Sequence, residues 1–231
     1  MLNFLYGYFI LPESLPKENR RAFDIKRANP IGSFKHLKKY PSLIGLVAAV
    51  FILYTASHAI QSNWSYFTMY QFNWDEKMVG LSLGAIGLLV ALVQGVLIRW
   101  IHPRLGNEKS IYVGMFLYSI GMLLFAFATE SWMMFAFLIP YCLGGIAGPA
   151  LQAVISLQVP ANEQGEIQGT LTSVMSASAI IGPPVMTGIF FYFTNKDATI
   201  HFAGAPFLLA GILMIISSLL AYFAIKKHHK K

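Results

Sequence analysis

An all-α membrane protein, with six transmembrane helices gathered into one bundle, is the fold class that this 231-residue sequence predicts. Three observations carry it. Hydrophobic residues make up 56% of the chain and charged residues 12%, about half the charged share of a soluble domain, so a fold in water would have too little polar surface to cover its apolar one. The charges are also clustered, which leaves six charge-free runs: Tyr40–Trp74, Met78–Ile98, Ser110–Thr129, Ser131–Asn162, Ile167–Asn195 and Ala198–Ile225. Each has the roughly 20 helical residues that cross the hydrocarbon of a bilayer. Finally, if the helices alternate in direction, 15 of the 17 Lys and Arg residues fall on one side.

Residues 1–11 are apolar, but at about 1.5 Å per residue they reach only halfway across a membrane. They have no basic leader and no small-residue cleavage site, and so read as the tail of a truncated transmembrane helix. Residues 12–41 form a basic linker broken by Pro12, Pro16 and Pro30, and residues 42–225 hold the six spans. Residues 226–231, KKHHKK, are a basic tail. The excess of Lys and Arg assigns the linker, Arg99–Lys109, the Glu163–Glu166 connection and the tail to the cytoplasm, with Lys77 and Lys196 opposite. That distribution suits a membrane protein and leaves no basic patch for nucleic acid.

In the first span Tyr54, His58, Gln61 and Ser65 recur at spacings that share one helical face. Such a stripe fits a watery cavity or the bundle interior. His58, the one imidazole deep in a span, could exchange a proton near neutral pH or sit neutral against a neighbouring helix. Gln94 in the second span and Gln152 in the fourth are further candidates for a substrate pathway. Pro140 and Pro149 interrupt the fourth span, and Gly182, Pro183 and Pro184 the fifth, because each proline removes a backbone donor. Bent helices of this kind serve gating, although they also occur as plain packing features.

Glycines four apart at Gly80 and Gly84, Gly144 and Gly148, and Gly165 and Gly169 suggest close helix approach. Trp64, Trp74, Trp100 and Trp132 read as interfacial anchors. The single cysteine, Cys142, reads as a packing residue. No acid lies within any span, so the usual intramembrane proton carrier is missing from this segment. Paired carboxylates, a Cys–His couple and a metal-ligand cluster are all lacking in the spans, so neither an enzyme nor a cofactor is expected.

Several segments carry a resemblance. These are WSYFTMYQFNWDEKMVGLSL at Trp64–Leu83, GGIAGPALQAVISLQVPANEQGEIQG at Gly144–Gly169, IIGPPV at Ile180–Val185 and RWIHPRLGNEK at Arg99–Lys109. With six spans behind a basic segment and a half-helix, the chain resembles the C-terminal half of the major facilitator superfamily, in its tetracycline-efflux-like branch. The resemblance implies a multi-pass protein of a bacterial inner membrane that exports an amphipathic drug in exchange for protons. It implies a partner too, the missing N-terminal six-helix half. Tyr54, His58, Gln61, Gln94, Tyr118 and Gln152 would line the pathway, and Arg104, Gly106 and Lys109 would form a cytoplasmic gate. Tyr118 stands where the branch carries a coupling acid, and Val90 where it carries a histidine. Transport of another small solute, or a half-transporter without activity of its own, fits the same residues.

Overall fold

The computed structural model describes residues 2–10 and 39–229; most of the expected linker and the last two residues lie outside the described residues. The elements are α1 (Leu2–Phe9), α2 (Pro41–Phe72), α3 (Glu76–Leu92), a π-helical turn (Val93–Leu97), α4 (Ile98–Ala126), α5 (Ser131–Gly144), α6 (Ala147–Leu157), α7 (Gln164–Thr194) and α8 (Ala205–His229). A short 3-10 turn, Ala161–Glu163, joins α6 to α7.

Local chemistry sets several of these boundaries. Pro41 opens α2 at a position where its missing N–H would be unpaired in any case. Asn73 closes it in the left-handed region at φ 52°, a conformation that asparagine tolerates better than most residues. Asp75 then caps α3, its carboxylate accepting from the Met78 N–H at 2.8 Å.

Among the described residues, five helical stretches are long and apolar enough to cross a membrane: Leu43–Phe72, Glu76–Ala126, Ser131–Leu157, Ala161–Thr194 and Ala205–Lys227. The sequence predicts six. The difference lies in Glu76–Ala126, which the sequence divides into two spans and which runs through 51 residues. Inside it, Gly106 has φ 74° and ψ 170°, outside any helix. The stretch doubles back there, as Trp64 demonstrates. Its indole Nε1 donates to Ser82 Oγ at 2.8 Å while its ring meets Phe125 edge-on at 5.2 Å. In a straight helix Ser82 and Phe125 would stand about 65 Å apart.

α2 is the core element, with buried residues recurring from Leu43 to Phe67. α8 packs antiparallel to it, and Ser217 Oγ donates across to the Ala49 carbonyl at 2.7 Å. α4 and α5 also run antiparallel, close enough that a Cβ on Gly121 would come within 2.8 Å of the Tyr141 backbone, and one on Gly144 within 2.7 Å of Tyr118. Of the glycine pairs expected to bring helices together, only Gly144 does so; Gly80, Gly84, Gly165 and Gly169 have nothing within 4 Å of a built Cβ. Spacing of four marks a face without saying which neighbour covers it.

The tryptophans also divide. Trp100 and Trp132 are about two-thirds exposed, as interfacial anchors would be, whereas Trp64 and Trp74 are buried. Trp64 is paired to Ser82 and Trp74 to Ser131. Their indole N–H groups find hydroxyl partners inside the bundle, which removes the usual reason for an indole to sit at the headgroup level. Elsewhere large apolar side chains cover the outside: Leu88, Phe116, Ile139, Phe191 and Phe223 are each more than half exposed. A surface of that kind suits lipid, and water would not support it.

Candidate functional site

The polar residues of α2 meet α6 where the α5–α6 rod is broken. Pro149 has no N–H to offer the Gly145 carbonyl, four residues back, so the helical ladder opens there. α5 ends at Gly144 and α6 restarts at Ala147, with Pro149 in its first turn. Pro149 therefore marks the restart, where its missing donor would be an orphan anyway.

Around this break four of the expected pathway residues gather. Gln152 Nε2 donates to Tyr54 Oη at 2.9 Å, and a Cβ on Gly148 would lie 3.8 Å from the same hydroxyl. Gln94 comes from the π-helical turn, where the extra residue per turn re-aims side chains. Its amide nitrogen lies 3.8 Å from where a Cβ of Gly145 would be. Tyr118 packs its ring on Gly144 and meets Tyr141 edge to face at 5.0 Å.

The other two are placed differently. His58 is buried against α7, where a Cβ on Gly182 would fall 2.5 Å from its imidazole. Gln61 is exposed one turn further along and donates weakly to Ser57 Oγ at 3.4 Å. α7 runs through Pro183 and Pro184 as one helix, and Thr187 Oγ1 donates to the Pro183 carbonyl at 2.8 Å.

The residues expected to form a gate surround the reversal at Gly106. Leu105–Lys109, with Val154, Leu157 and Gln158 from the end of α6, line a cavity of about 480 Å³. Gly106 and Lys109 belong to it. Arg104 does not, its guanidinium lying over the Trp100 ring at 5.9 Å.

Two polar residues escaped the sequence reading. Glu163, expected only as part of a connecting loop, is the one buried acid among the described residues. Its carboxylate accepts from Lys39 Nζ and from Tyr40 Oη, each at 2.6 Å. Asn63 on α2 is fully buried and neither atom of its amide has a hydrogen-bond partner; nothing in the local sequence marks it. Its face is set by spacing, since Ala49 and Phe67 both meet α8 and Asn63 shares their side of the helix. No group of three or more His, Cys, Asp or Glu able to hold a metal occurs among the described residues.

Known proteins resemble this arrangement. The family model for the Major Facilitator Superfamily matches residues 1–183 and, in a second overlapping match, 46–231. The class C tetracycline resistance protein of Escherichia coli is 36% identical over 189 residues, which cover 82% of this chain and 48% of that protein. The class D protein of Salmonella ordonez is 33% identical over 221 residues, covering 94% of this chain and 54% of that protein. Among solved structures, the human organic anion transporter MFSD10 (TETRAN) superposes with a TM-score of 0.77 at 22% identity, over 95% of this chain and 54% of its own; that likeness bears on the fold alone. The chain spans about half the length of the curated relatives it matches. With a family match reaching across its whole length and relatives at 36% identity, this multi-pass membrane chain belongs to the Major Facilitator Superfamily and is related to its tetracycline resistance proteins.

Proposed function

We propose that the chain is one half of a secondary transporter that, joined to a second six-helix half, exports an amphipathic drug in exchange for protons. The observation that carries this reading is the 36% identity to a tetracycline resistance protein over 82% of the chain. The uncharged seam of Tyr54, Gln94, Tyr118 and Gln152 supports the ligand class. A charged ligand calls for an intramembrane Arg, Lys or acid, and these residues offer hydroxyls and amides. The protons would then be carried by groups in the other half.

The doubling back at Gly106 supports counting Glu76–Ala126 as two crossings, and hence six in all. In this reading the end that holds Gly106, Glu163 and Lys226 faces the cytoplasm of a bacterial cell. The break at Gly145–Pro149 and the weakened ladder at Gly182–Pro184 are where the half-bundle would flex. Gly106 and Lys109 gate the cytoplasmic mouth.

Export is tested in cells by following accumulation of tetracycline and of fluorescent amphipathic drugs, with the chain alone and with a co-expressed N-terminal half from a tetracycline resistance relative. The expected result is lowered accumulation in the paired cells only, abolished by a protonophore. Unchanged accumulation of every drug in the paired cells would overturn the efflux reading.

A further inference from the structure

We infer that Glu163 is a latch that ties the start of α2 to the α6–α7 connection and opens by releasing Lys39. The two partners lie 123 and 124 residues away in sequence, so no local turn produces this contact. Both carboxylate oxygens are engaged, one by the Lys39 ammonium and the other by the Tyr40 hydroxyl. A buried carboxylate needs such donors, because leaving it desolvated and unpaired is costly.

The pair is asymmetric. The Lys39 side chain is 56% exposed and that of Glu163 only 5%. Lysine regains its hydration on leaving, so the cost of opening falls on the enclosed carboxylate.

α2 is joined to α6 and α7 along its length, with Tyr66 and Tyr70 meeting Phe190 at the end far from Glu163. Deep in the bundle, Tyr54 meets Gln152 and His58 meets Gly182. These contacts cannot part without unpacking the core. The contact at Glu163, by contrast, is ionic and partly open to solvent. The connection itself is held together, since Gln164 donates to the Ser156 carbonyl at 2.8 Å and Gln168 to the Ser156 hydroxyl at 2.9 Å. Residues 156–168 would thus move as one piece once Lys39 lets go and the Tyr40 bond parts with it. Lys39 is also the last of the eight Lys and Arg residues before α2 in the sequence. A role for the latch's opening in transport rests on the function proposed above.

The test uses the full chain in lipid nanodiscs and two thiols. Val159, buried beside the connection, is replaced by Val159→Cys as a local reporter. The native Cys142, 2% exposed in the core, reports global opening. Rates of maleimide labelling are compared with and without Glu163→Gln, Lys39→Met and the two together. Either substitution should raise labelling of the position 159 thiol by roughly tenfold, from the loss of a charge-assisted hydrogen bond. The combination should be no faster than Glu163→Gln alone, and Cys142 should keep its rate. An unchanged rate at position 159 in both single variants overturns the latch, as does a rise at Cys142 in step with it. Should export fail while labelling behaves as expected, the transport reading falls and the latch stands.

Discussion

Gly182 leaves no room for a side chain, because His58 already fills the space. A Cβ there would lie 2.5 Å from the imidazole and 2.9 Å from the His58 Cβ, so relief needs backbone movement in α2 or α7. Gly182→Ala should cost about 1–3 kcal/mol as an overpacked core position, read as a lower melting temperature in detergent. Adding His58→Ala should recover most of that loss, and a double variant no more stable than Gly182→Ala would show that the steric account is wrong. Lys39 supplies a different residue-scale argument. Its ammonium is held above the usual 10.5, chiefly by the hydrogen bond to Glu163. A raised lysine pKa gives stability that is fully present below the unfolded value and lost as pH rises through the folded one. From the lysine side, the contact is therefore insensitive to pH near neutrality.

At the scale of elements, the α5–α6 break and the π-helical turn converge on one place. Both loosen a helical ladder, one by the missing N–H of Pro149 and one by a widened turn that carries Gln94. The bond from Gln152 to Tyr54 then fixes α6 to α2 across the seam. Such interhelical bonds average about 0.6 kcal/mol in membrane proteins, and reach about 1.7. A double-mutant cycle of Tyr54→Phe and Gln152→Leu should return a coupling of about that size in denaturation experiments. A coupling indistinguishable from zero would mean that the two elements are held by packing alone. The prolines were legible as breakers in the sequence. That Pro149 restarts a helix while Pro183 and Pro184 pass within one depended on the neighbours of each.

For the whole molecule, the grouping of charge is the property to test. Lys39 meets Glu163, and Leu105–Lys109 meet the end of α6, so Lys39 and Lys109 lie at one end of the bundle. Trp74 meets Ser131 and Phe127 meets Phe202 at the other. Cysteines introduced by Lys77→Cys and Lys196→Cys should react with an impermeant maleimide on intact cells. One introduced by Lys109→Cys should react only after permeabilisation. Labelling of position 109 from outside would invert the proposed orientation.

The sequence by itself determined that this chain is helical and lives in a membrane, because composition and charge-free length act on every residue whatever its neighbours are. It also marked the polar stripe of α2 and the breakers, since helical period and a missing N–H are local properties. Only the tertiary structure decided which side of each stripe found a partner: Tyr54 with Gln152, His58 against Gly182, Trp64 inside the bundle. Glu163 is the clearest case. Its partners Lys39 and Tyr40 arrive from more than a hundred residues away, and contact between distant segments is what a local pattern does not encode.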